Sequence, residues 1–174
     1  MKKIIIFSGS NSSRSINTKL AEYAGSLIKD QLVKLIKLTD FDIPIYSEDM
    51  EREGFPSAVK KLHSEIVGQD GLIISVPEHN GNLPAFFKNI LDWLSRFDKS
   101  FLSGIKILVM STSPGGRGGK SSLEATKKIL PYFKGEIFGS YNLNFFSKNF
   151  SDGIIEIDKD EELKELLRDF TENL

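Results

Sequence analysis

Leu72-Ile73-Ile74-Ser75-Val76-Pro77-Glu78-His79-Asn80-Gly81-Asn82-Leu83-Pro84 is the stretch on which the reading of this chain turns. Its first five residues are short, apolar and rich in β-branching, the composition of a strand buried on both faces. Beyond it, Phe86, Phe87, Ile90, Leu91 and Leu94 recur at helical spacing. A strand-loop-helix step leaves its loop at the carboxyl end of a parallel sheet, where open α/β sheets bind ligands. Pro77 and Pro84 restrict the backbone, Gly81 permits close approach, and Glu78, His79, Asn80 and Asn82 supply polar edges. The combination suits a planar ligand with many hydrogen-bonding edges; a plain connecting loop is the competing reading.

Strand and helix patterns alternate on either side of this stretch. Residues 4–7, 33–38 and 105–110 read as strands, and 136–143 as a weaker fifth. The first helix carries Ile16, Leu20, Ala24, Leu27 and Ile28 on one stripe, and the second, opened by Pro56, carries Val59, Leu62 and Ile66. A helix from about Ser121 uses Leu123, Thr126 and Leu130 and ends or kinks at Pro131. Asp158 can cap a terminal helix built on Leu163, Leu166, Leu167 and Phe170. Residues 39–55 show no period and read as an irregular connection of low order, to which the sequence assigns no role. Short buried strands joined by helices predict a parallel sheet covered on both faces. Right-handed crossovers then favour an α/β, flavodoxin-like three-layer sandwich, one domain over residues 1–174, with five strands in the order 2-1-3-4-5.

Composition removes whole classes of function. A net charge of -1 over 174 residues gives no electrostatic reason to invoke nucleic acid or an anionic membrane. There is no cysteine, which excludes disulfides, thiolate catalysis and thiolate-held clusters. Lys2-Lys3 precedes only four apolar residues before Ser8-Gly9-Ser10, too few for a signal peptide, and no run approaches a membrane span. The expected location is the cytoplasm. His63, beside Lys60 and Lys61, is expected to face solvent. Two histidines sixteen positions apart without a carboxylate cluster make a poor metal site, so no metal is expected. Without G-x-S-x-G, a Ser-His-Asp hydrolase is disfavoured.

Two more loops carry the functional signal. After the first strand comes Gly9-Ser10-Asn11-Ser12-Ser13-Arg14-Ser15-Ile16-Asn17, where hydroxyls, amides, Arg14 and a helix N-terminus suit a phosphate. A serine-rich helix cap is the competing reading, but it uses one of the five serines between Ser8 and Ser15. After the fourth strand comes Ser111-Thr112-Ser113-Pro114-Gly115-Gly116-Arg117-Gly118-Gly119-Lys120-Ser121, whose glycines let backbone approach a ligand. Gly119-Lys120-Ser121 is not a P-loop, because the required glycine five places earlier is Pro114. One ligand suits all three loops: a phosphate at the first and a ring system between the other two, the shape of flavin mononucleotide.

The segments Gly9-Ser10 with Ser15-x-Asn17, Pro77-Glu78-His79-Asn80 to Pro84, Lys88-Asn89, Asp92-Trp93-x-Ser95-Arg96 and Ser113-Pro114-Gly115-Gly116 resemble the NADPH-dependent FMN reductases of flavodoxin-like fold. The resemblance spans residues 3 to about 140. It implies that Ser10, Ser15 and Asn17 hold the FMN phosphate, with Arg14 reaching round where the family's arginine is replaced by Ser12. It implies that Pro77, Glu78, His79, Asn80 and Gly81 line the isoalloxazine, and that Ser113, Gly115 and Gly116 meet its other edge. His79 stands where the family usually has tyrosine. Hydride would pass from NADPH or NADH to the flavin, and electrons to a small acceptor: free flavin, a quinone, an azo compound or a metal oxyanion. The protein's part would be orientation, with no side-chain acid or base. The family also implies a homodimer or tetramer through the helix carrying Asp92, Trp93 and Arg96. The alternative is a flavodoxin-type electron carrier that binds FMN without nicotinamide turnover; such carriers tend to be strongly acidic, which this chain is not.

Overall fold

Side chains alternate across the first strand, and that alternation divides the core. In the computed structural model, which describes residues 1–174, β1 (Lys3–Ser8) sends Ile5 and Phe7 into one apolar layer and Ile4 and Ile6 into the other. The chain then forms α1 (Ile16–Leu27), β2 (Leu32–Leu35), α2 (Glu48–Glu53), α3 (Ser57–Ile66), β3 (Gly71–Ser75) and α4 (Ala85–Phe97). It continues through β4 (Lys106–Thr112), α5 (Lys120–Ile129), β5 (Glu136–Leu143), α6 (Phe146–Asn149), the two-residue strands β6 (Phe150–Ser151) and β7 (Ile154–Ile155), and α7 (Ile157–Glu172). Strands β1 to β5 form one parallel sheet in the order β2-β1-β3-β4-β5. The flavodoxin-like single-layered sheet with helices on both faces is therefore as expected.

Phe7, Ile74 and Val109 pack with α3, α4 and α5 on one face, while Ile6, Ile73 and Leu108 pack with α1 and α7 on the other. Burying each such side chain stabilises the fold by roughly 1.5–3 kcal/mol, so strands apolar on both faces hold a helical layer on each. Pro131 ends α5 in a short 3-10 turn, as expected, whereas Asp158 lies in the first turn of α7 and Glu156 takes the cap position.

The structure corrects three expectations on the α4 face. Residues 39–55 are not of low order. Ser47 caps α2 by accepting from the Met50 N–H, and the segment is pinned to α4. Asn89 accepts from the Tyr46 N–H at 2.8 Å and donates to the Pro44 carbonyl at 2.9 Å, which also accepts from the Trp93 indole at 2.8 Å. Trp93 is thereby 0% exposed, covered by its own chain, and cannot itself reach a partner subunit; Asp92 and Arg96 stay accessible. His63 does not face solvent either. Its Nε2 lies 3.0 Å from the Asp98 carboxylate and its ring packs edge-on against Phe97.

The hydrogen bond from His63 holds Asp98 below the usual carboxylate range, and the Lys3 N–H does the same for Asp70. A lowered folded value means that the unfolded chain binds protons more readily. The stabilisation is present above the ordinary carboxylate range and is lost as pH falls through the lowered values. We expect Asp98→Asn to flatten the acid side of the stability profile. Urea midpoints between pH 3 and pH 6 read this, and an unchanged slope would remove Asp98 from the account.

Candidate functional site

In this strand order β1, β3 and β4 are neighbours, and their carboxyl ends open on one edge of the sheet. A single residue ties the three together. Asn17, in the first turn of α1 and 1% exposed, accepts from Ser75 Oγ at 2.8 Å and from the Thr112 N–H at 3.0 Å. Its amide donates to the Thr112 carbonyl at 3.0 Å. Ser75 ends β3 and Thr112 ends β4, so this amide staples the first helix to both strand ends. Its side chain points into the protein, away from the cup it was expected to line.

The rest of the β1–α1 loop is built as a nest of backbone donors. Ser8, Ser10 and Ser12 hydroxyls each accept from the N–H two residues on, and Ser15 caps α1 by accepting from the Thr18 N–H at 3.1 Å. The N–H groups of Asn11, Ser13, Ile16 and Asn17 have no acceptor within the protein. Four free donors in and just before the first turn of a helix are the arrangement that suits an anion. Ser12 and Arg14 are exposed and Ser10 is half-buried at its rim, where a cleft of about 560 Å³ opens toward Ile36, Thr39 and Asp40. A groove of similar volume at the opposite edge, among Lys29, Lys164 and Arg168, is remote from all three loops.

The β3–α4 loop is a miniature hairpin. His79 and Asn82 exchange N–H to carbonyl bonds of 3.0 Å in both directions, with Asn80 at φ 52° and Gly81 at φ 75° between them. These are the angles of the mirror-image turn that Asn-Gly favours. That signal is in the sequence, and it makes Asn80 a turn residue before it is a ligand edge. The hairpin stands exposed, while Pro77 and Glu78 lie half-buried at its base. Glu78 turns inward: its carboxylate accepts from the Ser121 N–H at 2.8 Å and the Ser122 N–H at 3.3 Å, capping α5. Ser122 Oγ donates to the Pro77 carbonyl at 2.9 Å, locking the same two loops. The Glu78 carboxylate thus takes the first N–H groups of α5, which a P-loop would leave to a phosphate, in keeping with the missing glycine at Pro114.

The glycines divide by what lies where a side chain would be. A Cβ on Gly116 would come 2.8 Å from the Phe145 ring, and one on Gly9 would come 3.0 Å from Phe87. Gly81 and Gly115 have open space there, so of the candidate glycines these two present bare backbone to a ligand. Ser113 is half-buried beside Gly115. A fourth segment, after β5, closes on this loop: the Phe145 N–H donates to the Gly115 carbonyl and the Phe146 N–H to that of Ser113, both at 3.0 Å. The sequence reads Phe145, Phe146 and Phe150 as core or interface residues with a flavin-lining role as the alternative; Phe146 is core, but Phe145 is 46% exposed, and nothing local announces its contact with Gly115.

The family model for NADPH-dependent FMN reductases matches residues 2–148. The chain belongs to that family. A quinone reductase of Pseudomonas putida is 34% identical over 131 residues, 74% of this chain and 69% of the relative. An uncharacterised protein of Mycoplasma pneumoniae is 33% identical over 154 residues, 85% of this chain and 90% of that one. Among solved structures, a flavoenzyme NAD(P)H:(acceptor) oxidoreductase from Paracoccus denitrificans superposes with a TM-score of 0.83 at 22% identity, over 99% of this chain and 96% of its own. Membership makes this chain an oxidoreductase with FMN as cofactor and a nicotinamide as co-substrate. The residues present fit that cofactor: free N–H donors suit its phosphate, and two open glycines suit a flat ring. No helix is long and apolar enough to cross a membrane.

Proposed function

We propose that this reductase holds the FMN phosphate in the β1–α1 nest and the ring against the loops after β3 and β4, and reduces a small acceptor. The observation that carries the reading is the set of four unsatisfied N–H donors at Asn11, Ser13, Ile16 and Asn17, one strand from the bare backbone of Gly81 and two from that of Gly115. Ser10 and Ser12 add hydroxyl donors, Arg14, exposed in the same loop, adds positive charge, and Ser15 holds the helix end that presents the nest. Asn17 contributes its N–H, while its side chain sets the position of the loops. His79 and Asn80 present the exposed edge of the hairpin; Pro77 and Glu78 fix its base; Ser113 and Gly115 present the facing edge; and Gly116 makes room for Phe145.

When bound, FMN supplies the redox chemistry, taking hydride from NAD(P)H and delivering electrons to the second substrate. The protein binds, orients and shields, and needs no titrating side chain at the reacting atoms. Backbone donors oriented in advance stabilise negative charge without reorganisation, which is how such a site favours electron uptake. Quinones, azo compounds, free flavin and metal oxyanions are the acceptors this arrangement suits, the names of the relatives favouring quinones. We further assign the reductase to the cytoplasm, as a homodimer or a tetramer built from such dimers, paired through the α4 face. Asp92 and Arg96 are accessible there and Ile45 is 77% exposed close by.

The expected result is a yellow protein that oxidises NADPH steadily when a quinone is present and sediments as a dimer or larger assembly. A flavin reducible only by a partner protein would favour the electron carrier instead. A protein that cannot be loaded with FMN would overturn the reading, and a single-chain species of the loaded protein would overturn the assembly.

A further inference from the structure

Phe145 adopts φ 45° and ψ 57°, the left-handed region, at the residue before α6. That conformation suits glycine or asparagine, and a bulky residue there is strained. The fold does not need an aromatic at this point, because the ring is 46% exposed and outside both apolar layers. It is nevertheless held firmly. Its N–H donates to Gly115 and its successor's to Ser113, and the ring occupies the space of the side chain that Gly116 lacks. Lys148 and Asn149 donate their N–H groups back to the Phe145 carbonyl, fixing the residue from the other side.

We propose that Phe145 is a specificity-determining residue, an aromatic wall that recognises a planar conjugated ring beside Gly115. The proposal rests on the reading of this edge as the flavin site. Gly115, the adjacent residue of the loop, has open space at its Cβ position, and the half-exposed ring packs against Gly116 next to it. A strained, half-exposed aromatic locked onto a glycine loop is costly for stability alone, and stacking repays that cost only when a second ring is present. Two sources could supply that ring: the isoalloxazine of the cofactor, or an aromatic acceptor such as a quinone.

Phe145→Asn removes the wall and relieves the strain, since asparagine tolerates the left-handed region; Phe145→Tyr keeps the wall. The urea midpoint of Phe145→Asn is expected to be no lower than that of the native chain. If the ring recognised is the flavin's, the dissociation constant of FMN from the Phe145→Asn apoprotein, read by flavin fluorescence, rises roughly 2- to 10-fold and Phe145→Tyr restores it. If it is the acceptor's, FMN binding is unchanged while kcat/KM for a benzoquinone falls by a similar factor and that for ferricyanide, which has no ring, does not. Unchanged FMN binding together with equal effects on both acceptors would overturn the wall, as would a lowered midpoint with parallel losses throughout. A native protein that takes up no FMN would instead defeat the functional reading, so the two failures are told apart.

Discussion

Asn17→Ala is expected to lower the unfolding free energy by about 3 kcal/mol, because it orphans the buried N–H and carbonyl of Thr112 at once. Each buried group left without a partner costs roughly 1–3 kcal/mol, while Ser75 can turn its hydroxyl elsewhere. The urea midpoint should fall with an unchanged slope, the signature of lost stability without a changed unfolded state. FMN affinity should fall with it, since the same amide aligns the ends of β3 and β4 with the nest proposed to hold the phosphate. Asn17→Asp sharpens the test. It keeps an acceptor for the Thr112 N–H but loses the donor to the Thr112 carbonyl and buries a charge. A buried carboxyl favours its neutral form, which can donate, so this variant should regain stability as pH falls. The native chain loses stability in the same direction through Asp70 and Asp98. If Asn17→Ala melts like the native chain, the amide is not the staple described.

Gly119→Ala is expected to cost a similar amount, again about 3 kcal/mol, by two separate routes. Gly119 has φ 80°, where a Cβ alone costs about 1–2 kcal/mol. The added carbon would also stand 2.1 Å from Ser111 Oγ, a buried hydroxyl that donates to the Gly119 carbonyl at 3.1 Å. Removing that oxygen should separate the two terms. Ser111→Ala in the Gly119→Ala background should recover the collision and leave the backbone cost, so the double variant is more stable than the sum of the singles. Strict additivity in denaturant midpoints would show that the clash is relieved by other means.

Much of this was legible from local pattern. Residues 4–7 and 72–76 are apolar at every or nearly every position, which only a strand covered on both faces can use, and the strand order followed from right-handed crossovers. The β1–α1 loop was legible as a cluster of donors because those donors are its own backbone. For other residues the side-chain partners were hidden for a common reason. Asn17 reads equally well as a phosphate ligand and as a staple until its partners, 58 and 95 residues away, are known. Glu78 was read as a ligand edge, yet its carboxylate serves Ser121 and Ser122, 43 and 44 residues on. His63 lies among lysines in sequence and beside Asp98 in space. The Asn80-Gly81 turn differs, being a local signal read for its chemistry when its backbone preference was the stronger message.

What the residues determined unaided is the sheet, its order and the three loops at its carboxyl edge, because burial and backbone preference act within a few positions of where they are written. Only the folded chain decided which polar groups in those loops were already consumed by one another, and which remained free for a ligand. A donor or acceptor is satisfied once, and which partner takes it depends on segments that sequence keeps far apart. Phe145 over Gly116 is the clearest instance: neither residue's surroundings in the chain hint at the other, and the space one lacks is the space the other fills.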